Sequence, residues 1–155
     1  MSFALLRSSI AGLAGGLAWY VGLRVIFGAP QGILSNPNLQ SQKMMAAFTE
    51  TRSSENPSIV LFGLLLIGLI WGWVYGAVSR DWTVVWWQRG LRFALLSCAL
   101  MVAWFEFYLP WNVLREPNAL VMLEMVCWAG VMTVVGLTIA RVKQALARFN
   151  SRSIL

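Results

Sequence analysis

The chain has 155 residues, of which 59% are hydrophobic and 12% are charged, against roughly a quarter charged in an ordinary soluble domain. So little charge cannot coat a small soluble ball, and a mean hydropathy of +0.68 assigns the apolar surplus to lipid. No histidine is present, which removes the commonest ligand of zinc and haem and the usual proton carrier near neutral pH.

Crossing a bilayer takes about 20 predominantly apolar residues, and four stretches supply them, 8–28, 58–78, 91–110 and 118–140. The first follows Arg7, carries Arg24 near its far end and stops at Gly28-Ala29-Pro30. Its core is long and no small-x-small site follows it, so it reads as a retained helix rather than a cleaved signal peptide. The second begins behind Asn56-Pro57, where proline suits a first helical turn, and runs uncharged to Arg80-Asp81. Arg89 and Arg92 precede the third, which closes at Leu109-Pro110; the fourth lies between Glu116-Pro117 and Arg141. The predicted fold is an all-α polytopic membrane protein, a single domain of four transmembrane helices in an up-and-down bundle. Short connections make spans two and three, and three and four, antiparallel neighbours. In the long 29–57 loop, Ser35-Asn36-Pro37 followed by Leu39, Met44, Met45 and Phe48 predicts a capped short helix. It lies on the membrane surface, on a partner, or as a lid on its own bundle.

Four spans place the N-terminus, the 79–90 loop and the C-terminus on one side. That side carries Arg7, Arg80, Arg89, Arg92, Arg141, Lys143, Arg148 and Arg152, and the other carries Arg24, Lys43, Arg52 and Arg115. Lysine and arginine accumulate in the cytoplasm, so both termini are expected there and the 29–57 loop is periplasmic in a bacterial inner membrane. The net charge of +6 therefore reads as topology rather than as a ligand signal. No cluster or base-stacking motif points to nucleic acid.

Lipid tails give helices no hydrophobic reason to associate, so small residues that let backbones approach are informative. Gly12 and Gly16 form one such stripe, and Gly68, Gly72 and Gly76 another. They serve packing within the chain or an interface with a partner. Beside Gly72, Trp71 and Trp73 are candidates for the same contacts, or for core packing. Trp82, Trp86 and Trp87 in the 79–90 connection, with Trp104 and Trp111 at the outer end of span three, fit interfacial anchors.

Acids inside spans are costly and need partners. Glu106 and Glu124 lie roughly 6 and 10 Å inside their outer ends at ~1.5 Å per residue, a depth that Arg24 also reaches. These three are expected to form an intramembrane ion-pair cluster, with Tyr108 and Asn112 at hand as hydrogen-bond partners. Cys98 and Cys127 lack CxxC spacing and read as small buried hydrophobes, or as a redox pair if their sulfurs meet. No nucleophile with a base, phosphate loop or metal-ligand set appears, so no enzyme, metal or cofactor is expected.

Trp71-Gly72-Trp73-Val74-Tyr75-Gly76, Arg89-Gly90-Leu91-Arg92-Phe93 and Glu106 ahead of Pro110-Trp111-Asn112 give residues 60–140 a resemblance to small four-helix bacterial inner-membrane proteins. The resemblance implies the bundle and that membrane, and brings no catalytic residue. The expected function is a non-catalytic accessory subunit that packs, in contact with lipid, against larger integral membrane subunits, those of energy-transducing complexes included. The alternative is a small oligomeric transporter or channel that uses Glu106 and Glu124.

Overall fold

The computed structural model describes residues 3–48 and 56–152, and the described residues are all-α. The long helices are α1 (Phe3–Ile26), α4 (Pro57–Val78), α5 (Trp86–Ser97) with its π-helical continuation Cys98–Val113, and α6 (Asn118–Arg152). Two short helices, α2 (Gln31–Leu34) and α3 (Gln42–Phe48), occupy the long loop. All four long elements have the length and apolar character to cross a membrane.

Proline 57 opens α4 as expected, and the Asn56 side chain accepts the Ser58 N–H at 3.0 Å. The third span begins at Trp86 rather than 91, so Trp86 and Trp87 are its first helical residues instead of loop residues. Arg89 and Arg92 stop hydrocarbon but not helix: the Arg89 Nε–H folds back to donate to the Val84 carbonyl at 2.8 Å. The same distinction explains why α6 continues past Arg141 to Arg152. In the π-helical stretch, the Leu114 N–H donates to the Leu109 carbonyl, five residues back, at 3.1 Å. Pro110, which has no N–H to give, sits within that wider turn.

Glycine decides which helices touch. A Cβ on Gly16 would come within 2.5 Å of the Leu64 carbonyl oxygen, and one on Gly68 within 2.6 Å of the Gly16 Cα. One on Gly12 would strike the Gly68 carbonyl, and one on Gly72 the Ser8 carbonyl. Thus α1 and α4 lie backbone against backbone. A second glycine contact joins α5 to α6, where a Cβ on Gly136 would meet the Gly90 carbonyl at 2.5 Å. Around the bundle the order is α4, α1, α6, α5, with α6 also against the π-helix. The expected adjacency of spans two and three is correspondingly altered: α4 lies along α1, and it reaches α5 through aromatic side chains.

Those rings form a column through the bundle, in which Trp19, Phe93 and Tyr75 are buried and the others half-buried. Phe27, Trp128, Trp19, Trp71, Phe93, Tyr75 and Trp82 follow one another edge to face, with successive centroids 5.3, 6.3, 5.8, 5.4, 5.2 and 6.5 Å apart. They link all four long helices, and each contact adds about 0.5–1.5 kcal/mol beyond the area it buries.

Candidate functional site

The start of α1, the end of α4, the start of α5 and the late turns of α6 meet at one end of the bundle, as up-and-down topology requires. There they enclose a cavity of about 350 Å³. Arg7, Arg80, Arg89 and Lys143 all line it, one from each of these four chain segments, together with Tyr75, Ser79, Trp86 and Gln144. No carboxylate is among the described residues that line it. Arg7, Arg80 and Arg89 are the like charges that act on Lys143.

Cation–π contacts engage several of the bases at this end. The Lys143 ammonium stands 5.2 Å from the centroid of the Tyr75 ring, and the Arg7 guanidinium 5.0 Å from that of Phe3. The Arg141 guanidinium covers Trp86 at 5.2 Å. Gly76, on the same stripe as Gly68 and Gly72, packs against Ser8 of α1 and also borders this cavity; a Cβ there would lie 2.7 Å from Ser8 Oγ and 3.1 Å from Lys143 Nζ. Two polar atoms, Arg7 Nε and Gln144 Oε1, are buried without a hydrogen-bond partner. A groove of about 320 Å³ shares Arg7, Gly76, Arg80 and Lys143 with the cavity and continues between α1 and α4 past Leu5, Trp73 and Ala77.

At the other end a buried acid fastens the loop. Glu116 is 6% exposed, and its Oε1 accepts the Ser41 N–H at 3.1 Å. The Ser41 hydroxyl donates to the Leu114 carbonyl at 2.6 Å and accepts the Met44 N–H at 3.0 Å. Ser41, rather than the predicted Ser35, therefore caps the helix that carries Met44 and Met45, while Ser35 ends α2. The bonds of Ser41 to Glu116 and Leu114 fasten the described part of the long loop to the turn before α6, which makes that part a lid on its own bundle. Residues 49–55 and the Phe48 side chain lie outside the described residues. Glu116→Ala should free the lid at a cost of about 1.5–3 kcal/mol, the range for a hydrogen bond to a charged group. Amide exchange of Ser41 and Met44 should accelerate in that variant, whereas Glu116→Gln, which keeps an acceptor, should retain protection.

Of the expected ion-pair cluster, Glu124 lines a cavity of about 20 Å³ with Glu116, Gln40 and Met44, space for about one water molecule. Arg24 is exposed, with its guanidinium 5.5 Å from the centroid of the Tyr20 ring. The Glu106 side chain lies outside the described residues; its backbone belongs to the π-helix. Tyr108 stacks on Trp104 at 4.8 Å, and Asn112 is exposed.

The tryptophans divide. Trp71 joins the core, whereas Trp73 is 42% exposed and donates its Nε1–H to Ser9 Oγ at 2.9 Å. Trp87, Trp104 and Trp111 are exposed, and Trp111 is tied by its Nε1–H to Asn118 Oδ1 at 2.9 Å. Trp82 and Trp86 turn partly inward to the core and the basic cavity. Cys98 and Cys127 are free thiols, half-buried and buried respectively. Among the described residues no group of three or more potential metal ligands occurs.

Sequence reasoning treated the four cavity cations as separate markers of membrane side, because they are far apart along the chain. Their common side was the available signal. Glu116 was missed because it stands beside Pro117 and resembles a simple boundary residue.

Fold and site together define a small four-helix membrane protein with a basic cavity at one end of its bundle and an acid-fastened lid at the other. No family model matches the chain, and no curated protein or solved structure matches it.

Proposed function

We propose that the protein is a non-catalytic accessory subunit of a bacterial inner-membrane complex, with both termini cytoplasmic, that packs laterally against larger integral subunits. One observation carries this reading. The glycine face of α4 is used up against α1, while the opposite face presents Ile59, Phe62, Leu66, Ile70 and Trp73, all exposed. Gly63 lies among them with no atom within 4 Å of the position its Cβ would take. Such a notch allows a neighbouring helix to approach, and close approach is what stabilises helix pairs in lipid.

Purification through a tag in mild detergent, followed by mass spectrometry, should recover larger membrane subunits in fixed ratio. A photo-crosslinker replacing exposed Leu66 should capture them, and one replacing buried Leu64 should not. Recovery of monomer alone, with lipid adducts only at position 66, would overturn the subunit reading. A homo-oligomer would favour the transport alternative instead, for which Glu106→Gln and Glu124→Gln should abolish flux in liposomes.

A further inference from the structure

We propose that the basic cavity is a binding site for the phosphate headgroup of an anionic phospholipid, whose acyl chains lie in the adjoining groove between α1 and α4. This assignment needs no partner subunit, and of the face given to one it uses only Trp73.

Four cations from four chain segments line one cavity, and no carboxylate among the described lining residues offsets them, so the site favours an anion. Topology alone requires bases on this side of the membrane, but it does not require them to face one another. A basic pocket between transmembrane helices at the membrane surface is the ordinary means of holding an anionic headgroup. The donor set suits a phosphate: guanidinium groups offer paired N–H donors to its oxygens, and the lysine adds a point charge. Ser79 and Tyr75 supply hydroxyls at the wall. Arg7, which lines the cavity, also has its Nε buried without a hydrogen-bond partner.

The groove distinguishes a lipid from free phosphate. It leaves the cavity past Arg7, Arg80 and Lys143 and runs along Leu5, Ala77 and Trp73, all exposed on the flank of membrane-spanning helices. A free anion has no use for that apolar extension, whereas a diacylglycerol moiety suits its chemistry. Gly76 stands where cavity and groove join, and its missing side chain leaves the passage beside Lys143 open.

Native mass spectrometry of the whole protein in detergent, titrated with phosphatidylglycerol or with phosphatidylcholine, tests the assignment. Phosphatidylglycerol should be retained about tenfold more tightly, the equivalent of ~1.4 kcal/mol. Arg7→Gln and Lys143→Gln, made separately, should each remove most of that preference. Arg92→Gln removes a base from the same membrane side but outside the cavity, and should keep it. Inorganic phosphate should compete only weakly.

Thermal unfolding gives a second readout with an opposite sign. In lipid-free detergent Lys143→Gln should melt higher than the parent, since it removes a charge that burial disfavours and that Arg7, Arg80 and Arg89 repel; added phosphatidylglycerol should raise the parent and leave the variant unmoved. Equal retention of both lipids, or equal loss in Arg92→Gln, would overturn the site. Strong competition by inorganic phosphate without a lipid preference would assign the cavity to a free anion and overturn the lipid.

Discussion

Gly72→Ile should abolish recovery of folded protein from mild detergent, and even Gly72→Ala should lower resistance to unfolding in titrations with a denaturing detergent. The position has no side-chain neighbour that could rotate away: a Cβ meets the Ser8 carbonyl oxygen and comes within 2.6 Å of the Gly12 Cα. Overfilling a packed core costs about 1–3 kcal/mol when side chains can shift, and here two helix backbones would have to separate. Separation would also pull the Trp73 indole from Ser9, which its Nε1–H reaches at 2.9 Å. Gly63→Ala supplies the contrast. It lies on the same helix, and nothing stands within 4 Å of its Cβ position, so the substitution should leave the bundle intact and stiffen the helix by about 0.5–1 kcal/mol. If Gly63→Ala and Gly72→Ala proved equally harmful, the damage would come from glycine loss in α4 generally rather than from contact with α1.

That contrast marks the limit of what the sequence discloses. Small residues four apart are visible in the string, and so is their meaning in lipid; which helix they face is not. Gly72 and Gly63 both sit in apolar surroundings, and their different roles come from the rotation of α4 about its axis. Spans were legible because crossing hydrocarbon requires a length of apolar chain that no loop imitates. Helix ends were less so, since Arg89 and Arg141 mark where lipid ends while the backbone continues its hydrogen bonding. The basic cavity was hidden for a related reason: Arg7, Arg80, Arg89 and Lys143 are neighbours only after four segments return to one end. Counting charges by side recovers their common level but not the direction in which each points.

Phe93→Ala should lower stability by about 3–5 kcal/mol, the cost of truncating a buried phenylalanine, and should disturb the basic cavity as well. Phe93 is 1% exposed, and its ring meets Trp71 at 5.4 Å and Tyr75 at 5.2 Å. It is thus the hinge of the side-chain connection between α5 and α4, whose backbone lies along α1. Tyr75 in turn carries the Lys143 ammonium on its ring face and packs against Trp82 in the following connection. Loss of the Phe93 ring removes one wall from Tyr75 and leaves Lys143 over a ring free to tilt. Two measurements separate these effects. Unfolding in detergent should show the full destabilisation in Phe93→Ala and a smaller one in Phe93→Leu, which refills much of the volume. Retention of phosphatidylglycerol should fall in the alanine variant at temperatures where it is still folded, although no charge has been changed. Unchanged retention there would show that the aromatic column supports the bundle without positioning Lys143.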